Sequence, residues 1–180
     1  MRIVLDPGHG GKKVGASYYG LHEKDVVLDI ALKVHDKFIE KQDVWIALTR
    51  MSDIHVSLRN RCIMANALMA THFISLHCNA CRSHKVSGAE IFHYKGSKRG
   101  RQLAELFEPY VRKFLDQPFR GIKESDRLYV LKYTEMPAIL IEIGFIDHKE
   151  TNELLRKEEV RQHIADLIVE ALNELIKKKI

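Results

Sequence analysis

The sequence predicts a single α/β domain with a twisted, mostly parallel central sheet of about six strands flanked by helices. Short apolar runs alternate with longer segments in which apolar residues recur at helical spacing, the pattern of strands joined by crossover helices. The 180 residues suit one domain, and a hydrophobic content of 46% can build a substantial core. No internal repeat or low-complexity tract interrupts the alternation.

The first half of the chain contains three predicted strands and two predicted helices. Apolar residues at helical spacing predict the helices, and short apolar runs beside turn residues predict the strands. A Pro-Gly turn follows the first strand, and Ser52 and Asp53 introduce the second helix. In order, the strand, turn, helix, strand, helix and strand cover residues 2–6, 7–11, 23–42, 44–48, 58–69 and 73–76.

The second half continues the alternation. A strand with one wetter face is followed by a helix, a glycine-containing loop and a short strand. A strongly apolar strand and a C-terminal helix complete the chain. These six elements are predicted at residues 88–94, 100–115, 117–126, 128–131, 138–146 and 160–175.

Glu142 is the most unusual residue, because it stands inside the apolar run at residues 138–146. An ionised carboxylate loses its hydration there, and a metal, a partner charge or a catalytic task must compensate. Burial raises the pKa of such a group and a nearby zinc ion lowers it, which can bring a general base close to neutrality. The alternative is a buried ion pair with Arg61 or Lys132.

Two histidines follow predicted strands, His9 in the first turn and His77 after the third strand. The carboxyl ends of parallel strands meet at one sheet edge, so the two side chains can converge there. Catalytic zinc commonly takes three protein ligands and leaves one position for water. Glu23, which begins the first helix directly after the loop carrying His9, is the candidate third ligand.

Each of these residues also has a purely structural explanation. An acid at a helix N-terminus complements the helix dipole, so Glu23 needs no metal. His9 could be a turn residue without a role, and His77 a satisfied core histidine at a strand end. Asp6 could bond the Pro-Gly turn or a ligand histidine. His35 is ambiguous, and seven histidines are predicted at the surface: His22, His55, His72, His84, His93, His148 and His163.

Composition argues against several other functions. The net charge of +5 is spread along the chain, which does not favour nucleic-acid binding. Gly8 to Lys13 lacks the full phosphate-loop pattern.

Cys78 and Cys81 have the spacing of zinc and redox motifs, but they lack a second ligand pair, so reduced, partly buried thiols are expected. No run approaches membrane-spanning length, and the expectation is a soluble monomer.

Five motifs, in order, resemble one family over nearly the whole chain. They are Leu5–Gly11, Glu23–Asp25, Thr49-Arg50 with Leu58–Arg61 and Ala65-Asn66, Ser75–Ala80, and Met136–Ala138 with Glu142–Ile146. The family is the zinc-dependent N-acetylmuramoyl-L-alanine amidases of bacterial autolysins and bacteriophage endolysins. Five motifs in order are far more specific than any single one.

The resemblance implies a role for each residue. His9, Glu23 and His77 correspond to the family's ligands for one zinc ion, and Glu142 corresponds to its catalytic glutamate. The implied reaction breaks the amide between the lactyl group of N-acetylmuramic acid and L-alanine of the peptidoglycan stem peptide. Asn79 and the loop at 117–126 are expected to shape the substrate groove.

The resemblance also bears on domain organisation and location. Residues 1–180 are expected to form the catalytic domain without a separate wall-binding domain. No signal peptide is visible, so the sequence suggests synthesis in the cytoplasm and action on the cell wall after release on lysis. Two rival functions stay open: a zinc peptidase that cuts within the stem, and a non-catalytic wall-binding module that kept the fold.

Overall fold

The computed structural model describes residues 1–41 and 44–178. The strands are β1 (Arg2–Pro7), β2 (Ser17–Tyr18), β3 (Leu21–His22), β4 (Trp45–Leu48), β5 (His72–Asn79), β6 (Ala89–Tyr94), β7 (Phe119–Ser125) and β8 (Ala138–Phe145). The helices are α1 (Glu23–Asp36), α2 (Leu58–Ala67), α3 (Lys98–Val111), α4 (Tyr129–Tyr133), α5 (Lys149–Arg156) and α6 (Glu158–Lys178).

Six strands form one sheet in the order β4-β1-β5-β8-β6-β7, and β2 and β3 form a separate hairpin. The pairs β4/β1, β1/β5, β5/β8 and β6/β7 are parallel, and β6 runs antiparallel to β8. This confirms the predicted six-stranded, mostly parallel sheet. The carboxyl ends of β1, β5 and β8 meet at one edge, and β6 begins at that same edge because it is antiparallel.

Both faces of the sheet are covered, because its central strands are apolar on both sides. Ile74 and Ile139 belong to one core, which also contains α1, α3 and α6 residues, and Phe73 and Leu140 belong to a second core with α2 and α4 residues. Each such side chain contributes about 1.5–3 kcal/mol when fully buried. Packing of the two cores against both faces fixes the position of the sheet edge that carries the candidate site.

Two predicted boundaries moved. Helix α1 ends at Asp36, because tight turns from Lys37 to Val34 and from Phe38 to His35 replace the helical pattern and return Phe38 to the core. The predicted end of that helix, Gln42, lies outside the described residues. Strand β5 continues through Asn79, so His77 lies within the strand rather than after it.

Two predicted elements were wrong. Residues 117–126 are not a loop but contain the edge strand β7, since pairing with β6 overrides the turn preference of Gly121. The apolar run at 128–131 is not a strand, because Leu131 and Lys132 both donate backbone hydrogen bonds to Leu128 at the start of α4. Short apolar runs do not distinguish strand from helix. The β2–β3 hairpin and α5 were not predicted.

Within the described residues, every helix is too short or too polar to cross a membrane.

Candidate metal centre

The candidate site lies where β1, β5 and β8 end. His77 on β5 stands directly opposite Glu142 on β8, so the two side chains share a face of the sheet. Gly8 continues β1 by donating a backbone hydrogen bond of 3.0 Å to Leu76, which places the following residue, His9, next to β5. The φ of His9 is 59°, a left-handed value that is uncommon outside glycine and occurs at turns and functional sites.

Glu23 reaches the same place from the start of α1. Its Oε2 accepts a 2.7 Å hydrogen bond from the Ala16 backbone and lies 3.1 Å from His9 Nε2. Its Oε1 accepts a 3.0 Å bond from the Cys78 backbone and lies 2.8 Å from His77 Nδ1. The buried carboxylate is therefore engaged by the site, although it also stands in the first turn of its helix.

The three side chains converge closely enough to share one ion. Their candidate ligand atoms lie within 4.8 Å of one another, and the rings of His9 and His77 are 5.0 Å apart at 76°. Two imidazoles and a carboxylate are a common ligand set for catalytic zinc. Among the residues described, no other group of three His, Cys, Asp or Glu converges in this way, and Cys78 and Cys81 carry free thiols.

Two glycines leave space around the candidate ligand atoms. A Cβ at Gly8 would lie 2.4 Å from His77 Cε1, and a Cβ at Gly15 would lie 2.3 Å from Glu23 Oε2. The φ of Gly15 is also 73°, which side-chain-bearing residues rarely adopt. The residues present thus fit a metal ion, both in their donor atoms and in the room left around them.

The electrostatics of the metal-free cluster follow from its geometry. Burial alone raises the pKa of Glu23, but hydrogen bonds and charge from His77 and His9 outweigh it and hold this pKa well below its usual range. Burial alone lowers the pKa of His77, but the hydrogen bond and charge of Glu23 outweigh it and raise this pKa. The cluster therefore contains an ionised carboxylate between two imidazoles.

Glu142 is half-buried overall, yet its Oε2 is fully enclosed and lacks a hydrogen-bond partner among the described residues. The pKa of Glu142 is raised to about 7: burial raises it most, the positive charge of His77 lowers it, and the negative charges of Glu23 and Glu90 also raise it. The alternative ion pair with Arg61 was wrong, because Arg61 pairs with Asp6. No ion pair or hydrogen bond joins Glu142 to Lys132 in the described part of the chain.

Asp6 stabilises the turn through a buried network instead of bonding a ligand histidine. It accepts hydrogen bonds from Thr49 at 2.6 Å, Ser75 at 2.7 Å and Arg61 at 2.6 Å. Arg61 also donates to the carbonyls of Pro7 at 2.7 Å and His9 at 2.6 Å. Sequence reasoning missed this network because the three donors lie 43 to 69 residues from Asp6 in the sequence.

Asn79 lies two residues beyond His77 on β5. Its Oδ1 accepts a 2.9 Å hydrogen bond from Ala80, and its Nδ2 is 3.5 Å from Oε2 of Glu90. Glu90 is a second buried carboxylate of this edge, and sequence reasoning missed it. The available signal was its position between apolar residues, Ala89 and Ile91, in the predicted strand at residues 88–94.

Some of the histidines predicted at the surface are buried, and others are exposed. His72 and His93 are buried, contrary to prediction, because β5 and β6 lie inside the sheet. His84 is exposed, but it lies 2.9 Å from Asp147 Oδ2 and stacks on Tyr18 at 4.9 Å between ring centroids. None of the three joins the cluster of His9, Glu23 and His77.

The chain is similar to known proteins over nearly its whole length. Residues 3–174 match the family described as N-acetylmuramoyl-L-alanine amidase. The chain is 37% identical to the endolysin of Bacillus phage SPP1, over 98% of this chain and 66% of the endolysin. It is 32% identical to the germination-specific N-acetylmuramoyl-L-alanine amidase of Bacillus subtilis (strain 168), over 94% of this chain and 77% of that protein. The chain thus spans about two thirds of the phage relative.

Two solved structures share the fold over almost their full length. The N-acetylmuramoyl-L-alanine amidase AmiC2 of Nostoc punctiforme superposes with a TM-score of 0.90 at 34% identity, covering 98% of this chain and 97% of that one. The catalytic domain of the amidase CwlV from Bacillus (Paenibacillus) polymyxa var. colistinus gives 0.91 at 28% identity, covering 98% of each chain.

Proposed function

Because this chain belongs to the N-acetylmuramoyl-L-alanine amidase family, we propose that it is a zinc-dependent peptidoglycan hydrolase. Its reaction cleaves the amide between the lactyl group of N-acetylmuramic acid and L-alanine of the stem peptide. The observation that carries this proposal is the convergence of His9, Glu23 and His77 next to the enclosed carboxylate of Glu142.

His9, Glu23 and His77 would hold the metal ion. When bound, zinc supplies Lewis-acid polarisation of a carbonyl and lowers the pKa of water. The hydrogen bonds that Glu23 accepts from Ala16 and Cys78 fix its carboxylate in place before any ion binds. Because the carboxylate is already oriented, metal binding does not have to order it, and this favours a higher affinity for the ion.

Glu142 would act as general base and then as general acid. Its carboxylate takes one proton from the attacking water while the water oxygen bonds to the lactyl carbonyl carbon. It then delivers that proton to the alanine nitrogen as the C–N bond breaks, which leaves a carboxylic acid and a free amine. In the metal-free chain burial raises the pKa of Glu142 to about 7, and a zinc ion nearby would lower it, which favours the carboxylate form that accepts a proton.

The test is mass spectrometry of purified peptidoglycan digested with and without a zinc chelator. We expect stem peptides with a free N-terminal L-alanine, which disappear on chelation and return with added zinc. Glu142→Gln is the matched variant: we expect it to retain stoichiometric zinc and to lose about 10²–10⁴-fold in rate, the usual contribution of general acid–base catalysis.

Three results would contradict the proposal or one of its parts. Cleavage within the stem, with the lactyl amide intact, would assign the chain to the zinc peptidases. No cleavage by the unmodified chain on several wall types would favour a wall-binding module. Full activity of Glu142→Gln would remove Glu142 from the mechanism.

A further inference from the structure

The row of charged side chains across the sheet edge continues past Glu142. Glu90 on β6 is the register partner of Glu142 on β8, so the two carboxylates share a face one strand apart. Glu90 is only 3% exposed. A buried carboxylate beside another one needs compensating positive charge, because two unpaired negative charges in a poorly solvated place repel each other.

Two cations from the neighbouring strand β7 supply that charge. Arg120 Nε donates to Glu90 Oε1 at 2.6 Å, and Lys123 Nζ contacts the same oxygen at 2.8 Å. Their side chains are 39% and 38% exposed, so each is anchored at one atom and open to solvent elsewhere. The three groups together carry one positive charge in excess.

A β-bulge places Arg120 at this position. The register of β6 and β7 shifts between Ala89 and Ile91, and Gly121 has a φ of 102°. An extra residue opposite Glu90 re-aims the neighbouring side chain, which is a common role of bulges at functional sites. A Cβ at Gly121 would meet nothing within 4 Å, so the glycine serves the backbone conformation rather than close packing.

The cations retain unused hydrogen-bond donors. Within the part of the chain that the structure describes, the two terminal nitrogens of Arg120 donate to no protein group, and Lys123 uses a single contact. The guanidinium carbon of Arg120 lies 5.3 Å from the centre of the Phe145 ring, and Lys123 Nζ lies 5.7 Å from that of Phe92. A held guanidinium with a free edge is the donor arrangement that suits a carboxylate.

From this arrangement we propose that Arg120 and Lys123 bind a carboxylate of the stem peptide, an inference that rests on the proposed amidase function. Strand β7 is two strands from β8, about 10 Å at a strand spacing of ~4.8 Å. An extended peptide advances about 3.3–3.6 Å per residue, so a group on the second stem residue is roughly 7 Å from the scissile amide. The arginine side chain spans the difference.

The proposal therefore gives the stem a direction, from Glu142 across β6 towards β7. The second stem residue is an acidic D-amino acid whose α-carboxyl group is free in some cell walls and amidated in others. We call Arg120 and Lys123 the β7 subsite. This subsite favours the free acid, because the amidated residue offers no negative charge to the two cations.

The test uses two synthetic muramoyl peptides that differ only at that group, carboxylate in one and carboxamide in the other. The measured quantity is the ratio of kcat/KM for the acid to kcat/KM for the amide. We expect a ratio of about 10–100 for the unmodified chain, the discrimination typical of one hydrogen bond to a charged group. In Arg120→Gln the ratio should approach 1, and Lys123→Gln should lower it in the same direction.

Arg101→Gln is the matched control, because it removes the same charge at an exposed i,i+4 pair with Glu105 on α3. It should keep the ratio of the unmodified chain. A ratio near 1 in the unmodified chain, or an unchanged ratio in both Arg120→Gln and Lys123→Gln, would overturn the subsite. Failure of the unmodified chain to hydrolyse either peptide would instead overturn the proposed amidase function.

Discussion

At the scale of single residues, Glu142 shows how position in a strand sets chemistry. The apolar run around it places it in a central strand, and the register with β5 puts it opposite His77. Burial then raises its pKa from 4.5 to about 7. The folded chain therefore binds this proton more tightly than the unfolded chain does, and stability contributed by the protonated form is lost as pH rises through 7.

This predicts that Glu142→Gln stabilises the metal-free chain at high pH. Glutamine keeps the shape of the protonated acid but cannot ionise. We compare the free energy of unfolding of the variant with that of the unmodified chain at pH 4 and at pH 8. The advantage of the variant should be about 2–3 kcal/mol larger at pH 8, since one pKa unit corresponds to about 1.4 kcal/mol. Urea unfolding of both proteins with a chelator, at the two pH values, measures it.

Comparing the two proteins at each pH cancels the other titrating groups that they share. An equal difference in stability at pH 4 and pH 8 would mean that the buried carboxylate is not destabilising in the folded chain.

At the scale of elements, helix α2 supports the junction of β1 with the His9 turn. Arg61 of α2 is fully buried and donates to Asp6 at the end of β1 and to the carbonyls of Pro7 and His9. Both carbonyls lie where β1 ends, and buried carbonyls without partners are costly. Arg50 also donates to the Pro7 carbonyl, at 2.9 Å. Helix α2 thus stabilises the turn through Arg61 without contributing an atom to the metal cluster.

Arg61→Met should therefore be severely destabilising. The change leaves Asp6 as a buried charge without its cation, which costs about 3–5 kcal/mol. Arg59→Met, on the exposed side of the same helix, is the control and should change stability by less than about 0.5 kcal/mol. Urea unfolding measures both variants, and similar losses in the two would show that the Asp6–Arg61 network does not hold the fold.

At the scale of the whole molecule, metal binding and folding are linked. His9, Glu23 and His77 are spread over 69 positions of the sequence and converge only in the folded chain, so an ion that binds all three favours folding. The linked free energy is about 2.7 kcal/mol when the free ion is at 100 times its Kd.

Zinc should accordingly raise the melting temperature of the chelator-treated chain by about 5–10 °C, the usual shift for this free energy in a domain of such size. Gly15→Ala should lose most of this shift, because its Cβ would lie 2.3 Å from Glu23 Oε2. Gly20→Ala is the matched control: its φ of 77° resembles the 73° of Gly15, but nothing lies within 4 Å of its Cβ.

Both glycine variants should share the backbone penalty of roughly 1 kcal/mol for a side chain in the left-handed region. Thermal unfolding with and without zinc separates this common loss from the loss of metal binding. Equal zinc-induced shifts in the two variants would place the ion away from Glu23.

The sequence by itself determined the α/β class, the six-stranded sheet and the four residues proposed for catalysis. Periodicity reports which faces are buried, and His9, Glu23, His77 and Glu142 stand in local patterns that single them out. Only the tertiary structure decided that residues 117–126 form an edge strand, that Arg61 pairs with Asp6, and that Glu90 faces Glu142. Strand order and register arise from packing between distant segments, and no local pattern encodes them.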